Sequence, residues 1–265
     1  MLTMTLTERA RMINRLLQHS GAQPVDFEEM AAVLGDAVGA SVFVIGRSGK
    51  VLGHRVLDGA ACVFGPDGVV TAGEVGEAMN RRLLEIREER VNDRSSPGRC
   101  LFDEARPCES CDPSIVTVIP VVGGGQRLGT LVLWRSAPPF GDEDVMLAEF
   151  GATVVGMEIL RTKTLEIEEE ARQKAAVQVA IGSLSFSELE AMQNVMRELD
   201  GQEGLLVASR IADRIGITRS VIVNALRKFE SAGVIDSRSL GMKGTYIRVL
   251  NDYLLPELER VRLGG

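Results

Sequence analysis

Apolar residues recur every three to four positions between residues 7 and 18, at Ala10, Ile13, Leu16 and Leu17, with Arg9, Arg11 and Arg15 on the other side. That period predicts an amphipathic helix. A second helix is predicted over 26–38, with Asp26 as its cap and Glu28 and Glu29 in its first turn. The period then shortens to that of strands. Ser41-Val42-Phe43-Val44-Ile45 is rich in β-formers, Arg47-Ser48-Gly49-Lys50 reads as a hairpin turn, and residues 51–56 return. Residues 57–72 are glycine-rich and irregular, 74–90 helical, and 91–113 a long polar loop. Two more strands, 115–122 and 128–134, flank Gly123-Gly124-Gly125. From Asp142 one helical pattern runs to about Ile181, with Leu147, Phe150, Val154, Met157 and Leu160 as its apolar stripe. Its later part is charged, and Glu168/Arg172 and Glu170/Lys174 stand at i, i+4. Ser185-Phe186-Ser187-Glu188 is a capping box for a further helix, which Asp200-Gly201 ends.

The segment 205–250 carries the most specific pattern. Residues 205–216 read as a short helix stopped by Gly216. Ile217-Thr218 is a tight turn, with Thr218 placed to cap a helix over 219–232. Ile222, Ala225, Leu226 and Phe229 form the buried stripe of that helix. Residues 234–239 and 245–250 read as two strands joined by the loop 240–244, and a last helix begins at Asn251-Asp252. Helix, glycine turn, helix and hairpin in this order predict a winged helix-turn-helix. The chain as a whole has a net charge of −7, yet this segment holds eight Lys/Arg against three Asp/Glu. A basic island in an acidic chain is a phosphate-facing surface, so the partner predicted is double-stranded DNA. Ser220, Asn224 and Arg227 are placed for the groove. Arg219, Lys228, Arg238 and Lys243 are placed for phosphates, with Val223 and Ser239 beside them.

Ahead of this reader the order is helices, hairpin, helix and loop, hairpin, long helix, which is that of a GAF- or PAS-like sensor around a small-molecule pocket. The fold class is therefore α+β: a GAF-type antiparallel-sheet sensor domain over 1–141, a long linker helix over 142–184 and a winged helix-turn-helix domain over 185–265. No apolar run approaches the ~18 residues of a membrane span. The start Met1-Leu2-Thr3-Met4-Thr5-Leu6 lacks a basic n-region, so a cytoplasmic protein is expected. The two histidines, His19 and His54, stand far apart and leave little material for a catalytic constellation, so no enzyme is expected. The four cysteines, Cys62, Cys100, Cys108 and Cys111, all fall in the irregular stretches. Cys108-Glu109-Ser110-Cys111 is a C-x-x-C, and four thiolates suit zinc or an iron–sulfur cluster; the alternatives are reduced cysteines with no ligand, or a disulfide. A metal- or redox-sensing transcription factor is thus the alternative reading.

Several long runs resemble the CodY family. They are Gly151-Ala152-Thr153-Val154-Val155-Gly156-Met157-Glu158-Ile159-Leu160-Arg161, the stretch 208–227, and Ser237-Arg238-Ser239-Leu240-Gly241-Met242-Lys243-Gly244. The resemblance is loose over the first 56 residues and tight after Val116. It implies a homodimeric repressor that senses GTP and branched-chain amino acids. The positions matching the family's GTP site are Val25, Phe27, Arg47, Ser48, Lys50, Glu158 and Lys163; taken without the family, Arg47 and Lys50 read as ordinary hairpin-tip charges. The family holds the amino-acid carboxylate with an Arg-Met segment after the first hairpin. Here that stretch reads Gly59-Ala60-Ala61-Cys62-Val63-Phe64-Gly65-Pro66-Asp67, without arginine, and Phe102 remains as a pocket wall. Gly123–Thr130 has the glycines of a phosphate loop but no Gly-Lys-Ser/Thr and no following helix, and reads as a hairpin turn.

Overall fold

The computed structural model describes residues 4–19, 26–57, 73–94, 115–199 and 201–263. The chain divides into two compact units, Met1–Thr164 and Leu165–Gly265. The first holds α1 (Leu6–His19), α2 (Phe27–Val38), β1 (Ser41–Gly46), β2 (Val51–Arg55), α3 (Glu77–Glu85), β3 (Arg90–Arg94), β4 (Ile115–Gly123) and β5 (Gln126–Arg135). The five strands form one antiparallel sheet in the order β2-β1-β5-β4-β3. Strand side chains alternate between its faces. Val42, Val44, Ile119, Val121, Leu131 and Leu133 pack with α1, α2 and the first turns of α4 (Asp142–Gly182). Phe43, Ile45, Val116, Val118, Val132 and Trp134 pack on the other face with Leu83 and Met79 of α3. Both faces are covered, which is why these strands read as unbroken apolar runs.

Local chemistry sets the joints of this unit. Asp26 accepts a hydrogen bond from the Glu28 backbone N–H at 2.9 Å and caps α2. Gly53 lets β2 run against the start of that helix, since a Cβ there would strike the Phe27 carbonyl. The N-terminus of α4 is held by Asp144, which accepts from Arg9 of α1 and, at 2.6 Å, from Arg135 at the end of β5. Arg135 is only 9% exposed, lies over the Phe140 ring at 4.0 Å, and donates also to the carbonyls of Val38, Pro138 and Pro139.

Four sequence expectations change in this unit and along α4. The helix expected over 74–90 spans only Glu77–Glu85, and its last residue with the first four of the expected loop 91–113 forms strand β3, Arg90–Arg94. That strand is an edge strand with mostly exposed polar side chains, so it lacks the alternation that marks a strand in sequence. Its pairing with β4 is interrupted at Asn92, whose φ is +59° and whose amide exchanges hydrogen bonds with the Phe140 backbone. The apolar stripe of α4 is two faces: Leu147 and Val154 are buried, whereas Phe150 and Met157 are exposed. Arg172 pairs with Glu169 instead of Glu168, while Glu170 and Lys174 pair as expected.

The second unit contains the last turns of α4, then α5 (Phe186–Leu199), β6 (Glu203–Leu206), α6 (Ala208–Ile215), α7 (Arg219–Ser231), β7 (Ile235–Ser239), β8 (Thr245–Val249) and α8 (Leu254–Leu263). Its sheet has the order β6-β8-β7, all antiparallel. Val177, Met192, Ile211, Ile222, Phe229 and Ile247 meet in one core. The capping box is present: Glu188 accepts from the Ser185 N–H at 2.7 Å and donates its own N–H to the Ser185 hydroxyl at 3.4 Å. The helix expected from Leu205 begins only at Ala208, because residues 203–206 pair with β8. An apolar triplet such as Leu205-Leu206-Val207 serves either period, and the partner strand decides.

Candidate nucleic-acid interface and effector site

Within the second unit, α6 ends at Gly216 with φ +70°, and Ile217-Thr218 leads into α7. The predicted stripe Ile222, Ala225, Leu226 and Phe229 is buried. The outward face then presents Arg219, Ser220, Asn224 and Arg227, all exposed, with Val223 half-buried. Thr218 has the extended backbone of an N-cap, but its hydroxyl meets the Ser220 hydroxyl at 2.8 Å and caps no N–H. With no acidic residue in its first turn, the end of α7 keeps its positive pole for an anion. On the hairpin, Arg238 and Ser239 pair with Tyr246 and Thr245, and Lys243 lies in the exposed Gly241–Lys243 turn. Among the described residues, Arg219, Arg227, Arg238 and Lys243 have no ion-pair partner. Lys228 departs from expectation: its Nζ donates to Glu188 at 2.7 Å and to the Ser183 carbonyl at 2.8 Å.

Within the first unit, the β1–β2 turn exposes Arg47, Ser48 and Lys50. The Arg47 N–H donates to the Leu128 carbonyl at 2.9 Å, which holds the turn against the β4–β5 hairpin. The same hairpin meets α4, since a Cβ on Gly123 would crowd both Leu128 and Leu160. Glu158, one helical turn from Arg161, is 4% exposed, and Lys163 is exposed. Phe27 and Leu160 join one core cluster. The β1–β2 turn and the α4 segment around Leu160 therefore both meet the β4–β5 hairpin, while Val25 lies outside the described residues.

The other sheet face carries an open cavity of about 450 Å³, walled by Met79, Leu83, Ile86, Val116, Val118 and Val132, with Arg82, Arg90 and Arg94 and the carboxylates Glu85 and Asp93 at its polar side, Asp93 lying 4.0 Å from Arg90. Sequence reading missed two side chains that hold α3, the helix beside it, in place. Asn80 of α3 donates to the Arg47 carbonyl at 3.0 Å. Arg127 donates to the Leu83 carbonyl at 3.0 Å, the Thr130 hydroxyl at 2.9 Å and the Ile86 carbonyl, and so closes the C-terminal end of α3. Neither residue follows a periodicity that sequence alone displays. Phe102, Cys62, Cys100, Cys108 and Cys111 lie outside the described residues. Among the described residues, no group of three or more His, Cys, Asp or Glu is placed to hold a metal ion, and nothing supports the metal-sensing alternative.

The family model described as the CodY GAF-like domain matches residues 5–183, and the CodY helix-turn-helix domain matches residues 202–262. The chain belongs to the CodY family. Among its relatives, the global transcriptional regulator CodY of Thermoanaerobacter sp. (strain X514) is 55% identical over 258 residues, 97% of this chain and 99% of that one. CodY of Caldanaerobacter subterraneus subsp. tengcongensis is likewise 55% identical, over 98% and 99% of the two chains. The cofactor-binding GAF domain of the nutrient sensor CodY from Clostridium difficile is 31% identical, covering 60% of this chain and 99% of that one with a TM-score of 0.39. As a CodY protein, the chain is a DNA-binding transcriptional regulator, with a GAF-type sensor ahead of a helix-turn-helix. Among the described residues, no helix is long and apolar enough to cross a membrane.

Proposed function

We propose that this CodY protein is a cytoplasmic, homodimeric repressor whose grip on DNA is set by GTP and by a branched-chain amino acid. The observation that carries the nucleotide reading is the β1–β2 turn. Arg47 and Lys50 project from it without an ion-pair partner among the described residues, and the turn meets the same β4–β5 hairpin as the α4 segment bearing Glu158 and Lys163. Cations of this kind neutralise a triphosphate, and a carboxylate accepts from guanine N1 and N2. The cavity beside α3 supports the amino-acid reading. Its floor is aliphatic, and Arg94 at its rim supplies a carboxylate partner of the kind that residues 59–67 lack. Exposed Met146, Phe150 and Met157 on one side of α4, together with Val122, give a second copy an apolar surface to cover. The DNA contacts are assigned to Arg219, Ser220, Val223, Asn224, Arg227, Arg238, Ser239 and Lys243.

Calorimetric titration with GTP and ATP tests the nucleotide assignment. GTP is expected to bind and ATP to bind more weakly, with Arg47→Ala/Lys50→Ala weakening GTP by about tenfold or more. A wild-type protein that takes no GTP, and whose DNA affinity is the same with and without it, would overturn the assignment. Isoleucine is tested in the same way, with Arg94→Ala as the variant expected to lose it.

A further inference from the structure

The reader unit has one cation on α7 that points away from the role its sequence position suggests. Lys228 is spaced like a phosphate contact, yet its ammonium sits between two oxygens of its own unit. One is the Glu188 carboxylate of α5, at 2.7 Å. The other is the carbonyl of Ser183, at 2.8 Å, immediately after the last residue of α4. Both are suited to it. The carbonyls at a helix C-terminus are unpaired and carry the negative pole, which a cation neutralises. Glu188 is only 8% exposed and is held by the Ser185 N–H, so its charge has a fixed direction. Lys228 and the Ser185 N–H hold its carboxyl below the ordinary glutamate range. An open groove, lined by Val179, Ala180, Ser183, Arg227, Lys228 and Ser231, lies beside the contact, so the link sits at the solvent edge of the packing between α7 and α4.

We infer that Lys228 is a positioning residue for DNA recognition: with Glu188 it pins helix α7 to the α4–α5 junction and sets the pose in which Asn224 and Arg227 are presented, and it binds no phosphate. The link joins the helix that carries the exposed polar face directly to the end of the helix that arrives from the sensor. Its loss therefore degrades the choice of sequence while leaving the general attraction to DNA intact. A phosphate contact behaves in the opposite way.

The test uses the full-length protein, a duplex selected by the wild-type protein from a randomised pool, and a scrambled duplex of equal length. Lys228→Met keeps the length of the side chain and removes its charge. It is expected to lower the ratio of selected to scrambled affinity by about tenfold, the worth of a hydrogen bond to a charged group. Its salt dependence on scrambled DNA stays unchanged. Lys228→Arg, which retains charge and donors, restores most of the ratio. Glu188→Gln reads the same contact from the other side and decides the matter if Lys228→Met does not fold. It also lowers the ratio, and combined with Lys228→Met it adds little, because both remove one link. The inference is overturned if Lys228→Met leaves the ratio unchanged. It is equally overturned if that variant flattens the salt slope by about one on both duplexes, or if Glu188→Gln tightens DNA by releasing a cation for phosphate.

Discussion

Asp144 joins α1, β5 and α4 of the sensor unit, and Asp144→Asn tests that joint with almost no change of shape. The carboxylate faces two guanidinium groups, Arg135 at 2.6 Å and Arg9, with side chains 9%, 16% and 17% exposed for Arg135, Arg9 and Asp144. Screening by solvent is therefore limited. Asparagine still accepts a hydrogen bond, but both cations lose their counter-charge, and each charge-assisted bond falls from about 1.5–3 kcal/mol to about 1 kcal/mol. Arg9 keeps Glu143 at 3.5 Å, but that carboxylate is 63% exposed and recovers little. The expected loss is about 2–3 kcal/mol, or a fall in Tm of roughly 5–10 °C for a unit of this size.

The assay is built into the chain, because its one tryptophan, Trp134, is 8% exposed in β5 next to Arg135. Its fluorescence follows the melting of the sensor unit alone, whatever the reader does. The pH dependence has a definite sign. Burial alone would raise the Asp144 carboxyl, but the hydrogen bonds from Arg9 and Arg135 outweigh it and hold it below the usual aspartate value. A depressed folded-state value gives stability that is complete above the unfolded carboxyl's pKa of about 3.9 and is lost as pH falls through the lower, folded one. The gap between wild type and Asp144→Asn is thus constant from about pH 5 to 8 and narrows below about pH 4. A difference of less than about 1 °C at neutral pH, or one that persists undiminished in acid, would refute the account.

The reader's base and phosphate contacts separate by salt. Asn224→Ala is expected to cost about 1–3 kcal/mol on the selected duplex and little on a scrambled one, whereas Lys243→Ala weakens both and lowers the salt slope by about 0.9. Equal losses for Asn224→Ala on the two duplexes would remove it from the base contacts. Gly53→Ala forces a methyl group against the Phe27 backbone and is expected to destabilise the sensor unit by about 1–3 kcal/mol in the Trp134 melt, with DNA binding in the absence of effectors untouched. Five cations of 205–250 lack an ion-pair partner in the described reader, so for the proposed dimer the slope of log affinity against log salt should be no steeper than about −9. A steeper slope on DNA would show that cations outside this segment take part.

Much of the fold is legible in the order of periods along the chain. The strands buried on both faces, the helix 142–182 and the stripe of α7 are set by apolar spacing alone, and the structure places them within a residue or two of expectation. What is not legible is whatever a partner decides. β3 is a strand because β4 lies beside it, β6 because β8 does, and neither shows the alternation of a half-buried strand. The exposed side of α4 has the same origin. Phe150 and Met157 continue the stripe of Leu147 and Val154 in sequence, yet the monomer's core covers only one side of the helix.

The candidate sites show the same limit at the scale of single charges. The basic island over 205–250 correctly marks the DNA-binding unit of this family, since its excess of cations is a property of composition. How those cations are divided is a property of packing. Lys228 is taken up by Glu188, Arg214 by Glu198 at 2.6 Å, and Arg248 stands 3.9 Å from Asp236. Glu188 and Glu198 lie outside the island, on α5, which sequence reading takes only as the first helix of the reader, opened by its capping box. A carboxylate is inexpensive to place at a helix start, where the dipole already favours it, and Glu188 in its capping box is held there before Lys228 arrives. The cap that begins α5 and the cation that leaves the DNA face of α7 are therefore one device. Counting charge along the chain sees a phosphate ligand where the fold has built a joint.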